Sequence, residues 1–298
     1  MNTEATPRTS PLNPPTAGRR SRRHPALVAS AVATLGLVAA FALPAPAASA
    51  APLHHGSPKP TIVLVHGAWA DGSSWNGEVK ILQNKGYTVD VAPNPLRGVA
   101  SDSAYLASFL ATITGPIVLV GHSYGGFIIT NAATGNPNVK ALVYVDAFAP
   151  DLGESIGSLT AGSGSVLEPA LTDPASVFNL RPFPGAPAGV VDAYVKPQLF
   201  VTGFAGDLPR SEAAALAAEQ APLATNAFGE ASGAPAWKTI PSWALIGTAD
   251  LVIPTAGLEA MAHRAGAHIE TVNGSHLSLI SHPKETAGVI IDAAEATS

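Results

Sequence analysis

The 298-residue chain is 47% hydrophobic and 12% charged, which excludes a disordered polymer and is ample for one large core. Of its 16 basic and 21 acidic residues, five arginines and one glutamate fall in residues 1–50, leaving 11 and 20 beyond them and a formal net charge of −9. So acidic a domain, without a basic cluster, is unsuited to phosphate backbones, and no nucleic-acid partner is expected. With no cysteine in the chain, neither a disulfide nor a lipoprotein anchor can form.

Residues 1–50 read as a signal peptide. Arg19-Arg20-Ser21-Arg22-Arg23 is a basic stretch, Ala26 to Leu43 is an uncharged apolar run, and Ala48-Ser49-Ala50 offers small residues at −3 and −1 of a cleavage site. The paired arginines also permit twin-arginine export. An uncleaved anchor is the alternative, since the run is nearly long enough to span a bilayer. Pro44 and Pro46, with the A-x-A site, favour cleavage. The expected product is secreted, begins near Ala51 and keeps no stable membrane anchor. Residues 51–60 read as a flexible leader, whose His54-His55 pair lacks acids at ligand spacing. No metal and no cofactor are expected.

Short apolar runs then alternate with amphipathic stretches. Thr61–Val65, Thr88–Val91, Ile117–Val120, Val139–Val145, Trp243–Ile246 and His268–Val272 read as strands buried between helix layers. Trp75–Lys85, Ser101–Ile113, Gly126–Thr134, Pro254–Ala265 and Lys284–Ala294 read as helices. Strand and helix in turn predict a doubly wound α/β core over residues 61–150 and 239–298, with a mostly parallel sheet. Residues 151–238, rich in proline, are too long for a connection and predict a cap or lid inserted between core strands. Within it only Leu199–Phe204 and Ser211–Gln220 read as elements, the latter with a Ser N-cap.

Gly121-His122-Ser123-Tyr124-Gly125 follows a strand and precedes a helix. G-x-S-x-G in that context marks a sharp turn that exposes a nucleophilic serine, its glycines admitting backbone too close for a Cβ. His66-Gly67-Ala68-Trp69 ends the first strand, where a loop amide and the amide after the nucleophile form an oxyanion hole; Ala68 (or Trp69) and Tyr124 are the expected donors, and His66 a structural residue. In this order of elements an acid and then a histidine follow the serine. Asp250 and His276 lie past later strands and are the expected orienting acid and base. Asp146 also ends a core strand; chain order favours Asp250, leaving Asp146 to line the pocket or meet the cap.

These residues resemble one branch of the α/β-hydrolase superfamily, small esterases similar to plant methylesterases and hydroxynitrile lyases, with bacterial secreted relatives. The resemblance rests on Val63–Trp69, Ala147–Asp151, Thr248–Pro254 and Ser275–Leu279. It implies that a lyase would carry threonine in place of Gly67 and lysine in place of Leu277. Asp146 departs from the branch, where a small residue is usual, and a carboxylate near the pocket speaks against anionic substrates. Trp69, Trp75 and Phe148 are the expected apolar substrate contacts. The sum is a secreted serine hydrolase of small-molecule carboxylic esters acting through an acyl-enzyme. Amidase, lactonase, perhydrolase and carbon–carbon hydrolase chemistry on the same residues stay open. So do a non-catalytic ligand receptor and the oligomeric state.

Overall fold

The computed structural model describes residues 59–297. The expected signal peptide, most of the leader and His54-His55 lie outside the described residues. The last two leader residues are anchored, contrary to expectation: Pro60 is buried, and the Lys59 ammonium donates to the Lys85 carbonyl and lies 4.4 Å from the Tyr87 ring centroid.

Six strands form one parallel sheet: β1 (Thr61–Val65), β2 (Val89–Ala92), β3 (Ile117–His122), β4 (Val139–Val145), β8 (Ser242–Gly247) and β9 (His268–Val272), in the order β2-β1-β3-β4-β8-β9. The central strands β3 and β8 are buried throughout, as continuous apolar runs require when both faces are covered. The edge strand β9 keeps exposed His268, Glu270 and Thr271. Around the sheet lie α1 (Asn76–Asn84), α2 (Val99–Leu110), α3 (Gly125–Ala132), α5 (Thr255–Arg264) and α6 (Pro283–Ala296). Helix α1 packs with α6, and α2 with α3. Strand order reverses between β1 and β3, so the loops after these two strands face each other at a crevice, the usual ligand position in such sheets.

Between β4 and β8 the chain builds structure that its sequence does not announce. Besides helix α4 (Arg210–Ala218), it forms a three-stranded antiparallel sheet of β5 (Phe178–Arg181), β6 (Asp192–Val195) and β7 (Leu223–Ala224). These strands are only four, four and two residues long, too short to leave a period-2 pattern. Leu199–Phe204 is a wide helical turn over Phe200–Phe204. Helix α4 starts at Arg210 with Pro209 as its cap and no side-chain cap bond, so Ser211 does not play the expected N-cap role.

Long-range hydrogen bonds tie this insertion to the core. The Trp69 indole donates to the Ala193 carbonyl at 2.8 Å, Arg97 pairs with Asp192 at 2.7 Å, and the Val166 amide and Ser165 hydroxyl donate to the carbonyls of Leu251 and Val252. Among the described residues no helix is long and apolar enough to cross a membrane.

Candidate active site

Ser123 follows β3 in a left-handed conformation, φ +52°, a region that costs a non-glycine residue energy and persists only where surroundings impose it. The imposing contacts are backbone on backbone. A Cβ on Gly121 would lie 2.7 Å from the Gly125 carbonyl oxygen, and one on Gly126 only 2.0 Å from that of Phe148. The turn is closed by the Gly126 amide donating to the Ser123 carbonyl at 2.9 Å, and α3 begins at once. The serine is thereby held at a helix N-terminus, where backbone dipoles favour developing negative charge.

The structure brings three of the expected residues into one chain of hydrogen bonds. His276 Nε2 lies 2.8 Å from Ser123 Oγ, and His276 Nδ1 lies 2.7 Å from Asp250 Oδ2. All three side chains are buried. Asp250 Oδ1 accepts from the Val252 and Ile253 amides at 2.7 and 3.0 Å, so three donors converge on this carboxylate. Burial pushes the Asp250 carboxyl up, opposed by those two amides. Burial also pushes the His276 imidazole down, to about 3, leaving a neutral ring. With a carboxylate at Nδ1, the proton sits there and Nε2 is free to accept from Ser123.

The residues around this chain hold it in place. The His122 ring lies 4.9 Å from that of His276 and its Nε2 is 2.9 Å from the His276 carbonyl. Phe204, from the insertion, meets His276 edge-on at 5.4 Å. Tyr124, whose amide follows the nucleophile, is pinned by its hydroxyl donating to Asp102 at 2.9 Å. Asp102 also accepts from the Arg97 and Gly98 amides. Trp69 holds φ +58° in the facing loop. His66 is buried, with Nδ1 2.9 Å from the Gly67 carbonyl.

Gly67 has no room for a side chain. A Cβ there would lie 2.7 Å from Ser123 Cβ and 2.8 Å from His122 Nδ1, so a threonine would displace the nucleophile. Leu277 lines the adjoining cleft.

That narrow cleft is lined by His276, Ala68 and Trp69 at the nucleophile, and by Phe200, Phe204 and Leu216 from the insertion. Of the three expected apolar contacts only Trp69 lines it. Trp75 is fully buried, its ring 6.5 Å from that of His122, and is a packing residue behind the site. Phe148 packs on Phe127 at 5.3 Å and borders a different cavity, with Val252, Ile253 and Met261. A large apolar residue near the motif fits a core as well as a pocket, and both of these went to the core. The residues that do line the cleft from the insertion leave one trace in sequence, the i, i+4 spacing of Phe200 and Phe204.

Asp146 neither lines the cleft nor meets the insertion, contrary to both expectations for it. It is wholly buried at φ +43°, accepts from the Gly247 amide at 2.5 Å and from the Ser278 hydroxyl, and so ties the end of β4 to the loops carrying Asp250 and His276. Burial, and then the Asp250 charge, push its carboxyl well above the usual range. Among the described residues no cluster of three or more His, Cys, Asp or Glu could hold a metal ion.

Known proteins place the chain in context. It is 33% identical over 110 residues to a carbendazim hydrolyzing esterase of Nocardioides sp. (33% of this chain, 46% of the relative). To a pyrethroid hydrolase of Sphingobium wenxiniae it is 32% identical over 99 residues (29% and 35%). These matches span less than half the length of either curated relative. An extracellular alpha/beta-hydrolase from a Paenibacillus species, said to share structural and functional homology with tobacco salicylic acid binding protein 2, superposes with a TM-score of 0.63 at 21% identity. That superposition covers 78% of this chain and 98% of the other, a likeness of fold alone. The family model described as alpha/beta hydrolase family matches residues 62–289, and with the parallel sheet and the turn at Ser123, the chain belongs to the alpha/beta hydrolase family.

Proposed function

We propose that the chain is a secreted serine hydrolase that cleaves carboxylic esters of small molecules through an acyl-enzyme. The observation that carries this reading is the continuous path from Ser123 Oγ through His276 to Asp250, at 2.8 and 2.7 Å. Ser123 Oγ attacks the ester carbonyl while His276 Nε2 takes its proton; Asp250 holds the Nδ1–H tautomer and stabilises the imidazolium. The amides of Ala68 and Tyr124 receive the oxyanion. His276 then returns the proton to the departing alcohol, and water, activated by the same ring, releases the acid. The names of the esterase and pyrethroid hydrolase relatives support hydrolysis of an ester. Residues 151–238 act as the cap that selects the substrate, supported by Phe200, Phe204 and Leu216 on the cleft.

The test is a panel of p-nitrophenyl esters of increasing acyl length, run beside matched amides and lactones. Ester turnover well above the others is expected; amide or lactone turnover above every ester would replace the reading. Export rests on the basic stretch, apolar run and A-x-A site of residues 1–50. N-terminal sequencing of secreted protein should begin near Ala51, and a start at Met1 would refute cleavage.

A further inference from the structure

The cleft at the nucleophile changes chemical character from its base to its rim. At the base the lining residues His276, Ala68, Trp69 and Phe204 are buried and mostly apolar. At the rim stand two exposed acids, Asp71 on the loop that follows Trp69 and Glu219 at the end of α4. One comes from the core and the other from the insertion, so the two borders of one opening each carry a carboxylate. No lysine or arginine lines the cleft.

Neither acid is neutralised by a partner. The ion pairs of the described residues involve Arg97, Lys238, Arg264, His276 and His282, and none includes Asp71 or Glu219. Asp71 accepts from the Ser73 amide at 2.7 Å through one oxygen, and its carboxyl is held below the usual range by the Ser73 hydroxyl and amide. His66, whose charge would act on it, is driven toward its neutral form by burial. The surrounding charge has the same sign, 20 acidic against 11 basic residues beyond residue 50. A low-dielectric cleft rimmed by one sign of charge concentrates the field on whatever enters it.

We infer that Asp71 and Glu219 make this site selective by charge, admitting neutral and cationic esters and rejecting anionic ones. The inference rests on the esterase reading and adds the class of substrate to it. The ester group and its apolar portion occupy the base against Trp69, Phe204 and Leu216. The portion that extends to the rim is uncharged, cationic or a hydrogen-bond donor to a carboxylate. A substrate ending in carboxylate, sulfonate or phosphate meets two like charges at the opening.

The experiment uses acetate esters whose alcohols are alike in length and end in a tert-butyl, trimethylammonium or sulfonate group. A second series carries the same groups on the acyl side. kcat/KM is measured at low and at high salt for the wild type and for Glu219→Lys. In at least one series the sulfonate ester should fall about tenfold or more below the tert-butyl ester at low salt, with the trimethylammonium ester equal to it or better. High salt should narrow the gap, and Glu219→Lys should reduce the neutral-to-anionic ratio severalfold. A ratio cancels any general effect of the substitution on turnover. Equal rates for anionic and neutral esters in both series, or a gap unmoved by both salt and Glu219→Lys, would overturn the charge inference while leaving the esterase reading intact. Failure to hydrolyse even the tert-butyl esters would remove that reading and this inference with it.

Discussion

The carboxyl edge of the core sheet and the insertion above it are held by different kinds of contact. At the edge, backbone packs on backbone: β3 and the Gly121–Gly126 turn force Ser123 to φ +52°, and the Asp250 carboxylate is fixed by amides two and three residues onward. The insertion has short strands and leans on links far apart in sequence, such as Trp69 to Ala193 and Arg97 to Asp192. Geometry that must be kept to a fraction of an ångström is built from local, rigid pieces. The walls that choose a substrate come from a segment that can be re-shaped without disturbing the reacting groups.

On this account the edge should be sensitive in kcat and the insertion in KM. Of the two aspartates and the insertion residue compared, the largest effect is expected at Asp250. Asp250→Asn should leave the imidazole in the wrong tautomer and lower kcat by about 10⁴. Asp146→Asn, assayed beside it on one activated ester, should lower kcat by no more than about tenfold. The amide still accepts from the Gly247 N–H, and the residue makes no hydrogen bond to His276, acting on it through Ser278, the loops and the neighbouring Asp250 charge. If Asp146→Asn proves the crippled enzyme and Asp250→Asn the mild one, the orienting acid belongs to β4 and the assignment is reversed.

A smaller change probes the other side of the comparison. Leu216 is half-buried on α4 and lines the cleft, so Leu216→Ala removes apolar contact without touching the hydrogen-bonded chain. KM for a neutral apolar ester should rise about fivefold while kcat stays within about twofold. Steady-state kinetics in which kcat falls and KM holds would show that the insertion takes part in the chemical step.

The same contrast explains what could be read in the sequence. The nucleophile turn is legible because its steric demands leave a mark at fixed spacing, Gly121 and Gly125 around Ser123 in a strand–turn–helix setting. The four inner core strands are legible as mostly apolar runs, whereas β2 is broken by Asp90 and β9 by His268, Glu270 and Thr271. Asp250 and His276 carry no steric mark of that kind and are readable from their order behind core strands and from the resemblance of Thr248–Pro254 and Ser275–Leu279 to the family's loops. The insertion is opaque because β7 is two residues long and because Gln220 serves β6 with its side chain, bonding both the amide and carbonyl of Val195. Trp75 and Phe148 mislead for a related reason: burial in a core and exposure to a pocket ask for the same side chains. The carboxylate expected at the pocket is there as well, but it is supplied by Asp71 and Glu219, while Asp146 is sealed behind the sheet edge.

The central claim is that Ser123 is the nucleophile, activated by His276. It is tested most directly by treating the folded protein with a fluorophosphonate, which forms a stable bond to an activated serine, and mapping the adduct by peptide mass spectrometry. The account predicts one phosphonylated site, at Ser123, formed stoichiometrically and absent from Ser123→Ala, with labelling strongly slowed in His276→Ala. A protein that stays unlabelled, or carries its adduct on another residue, would contradict it.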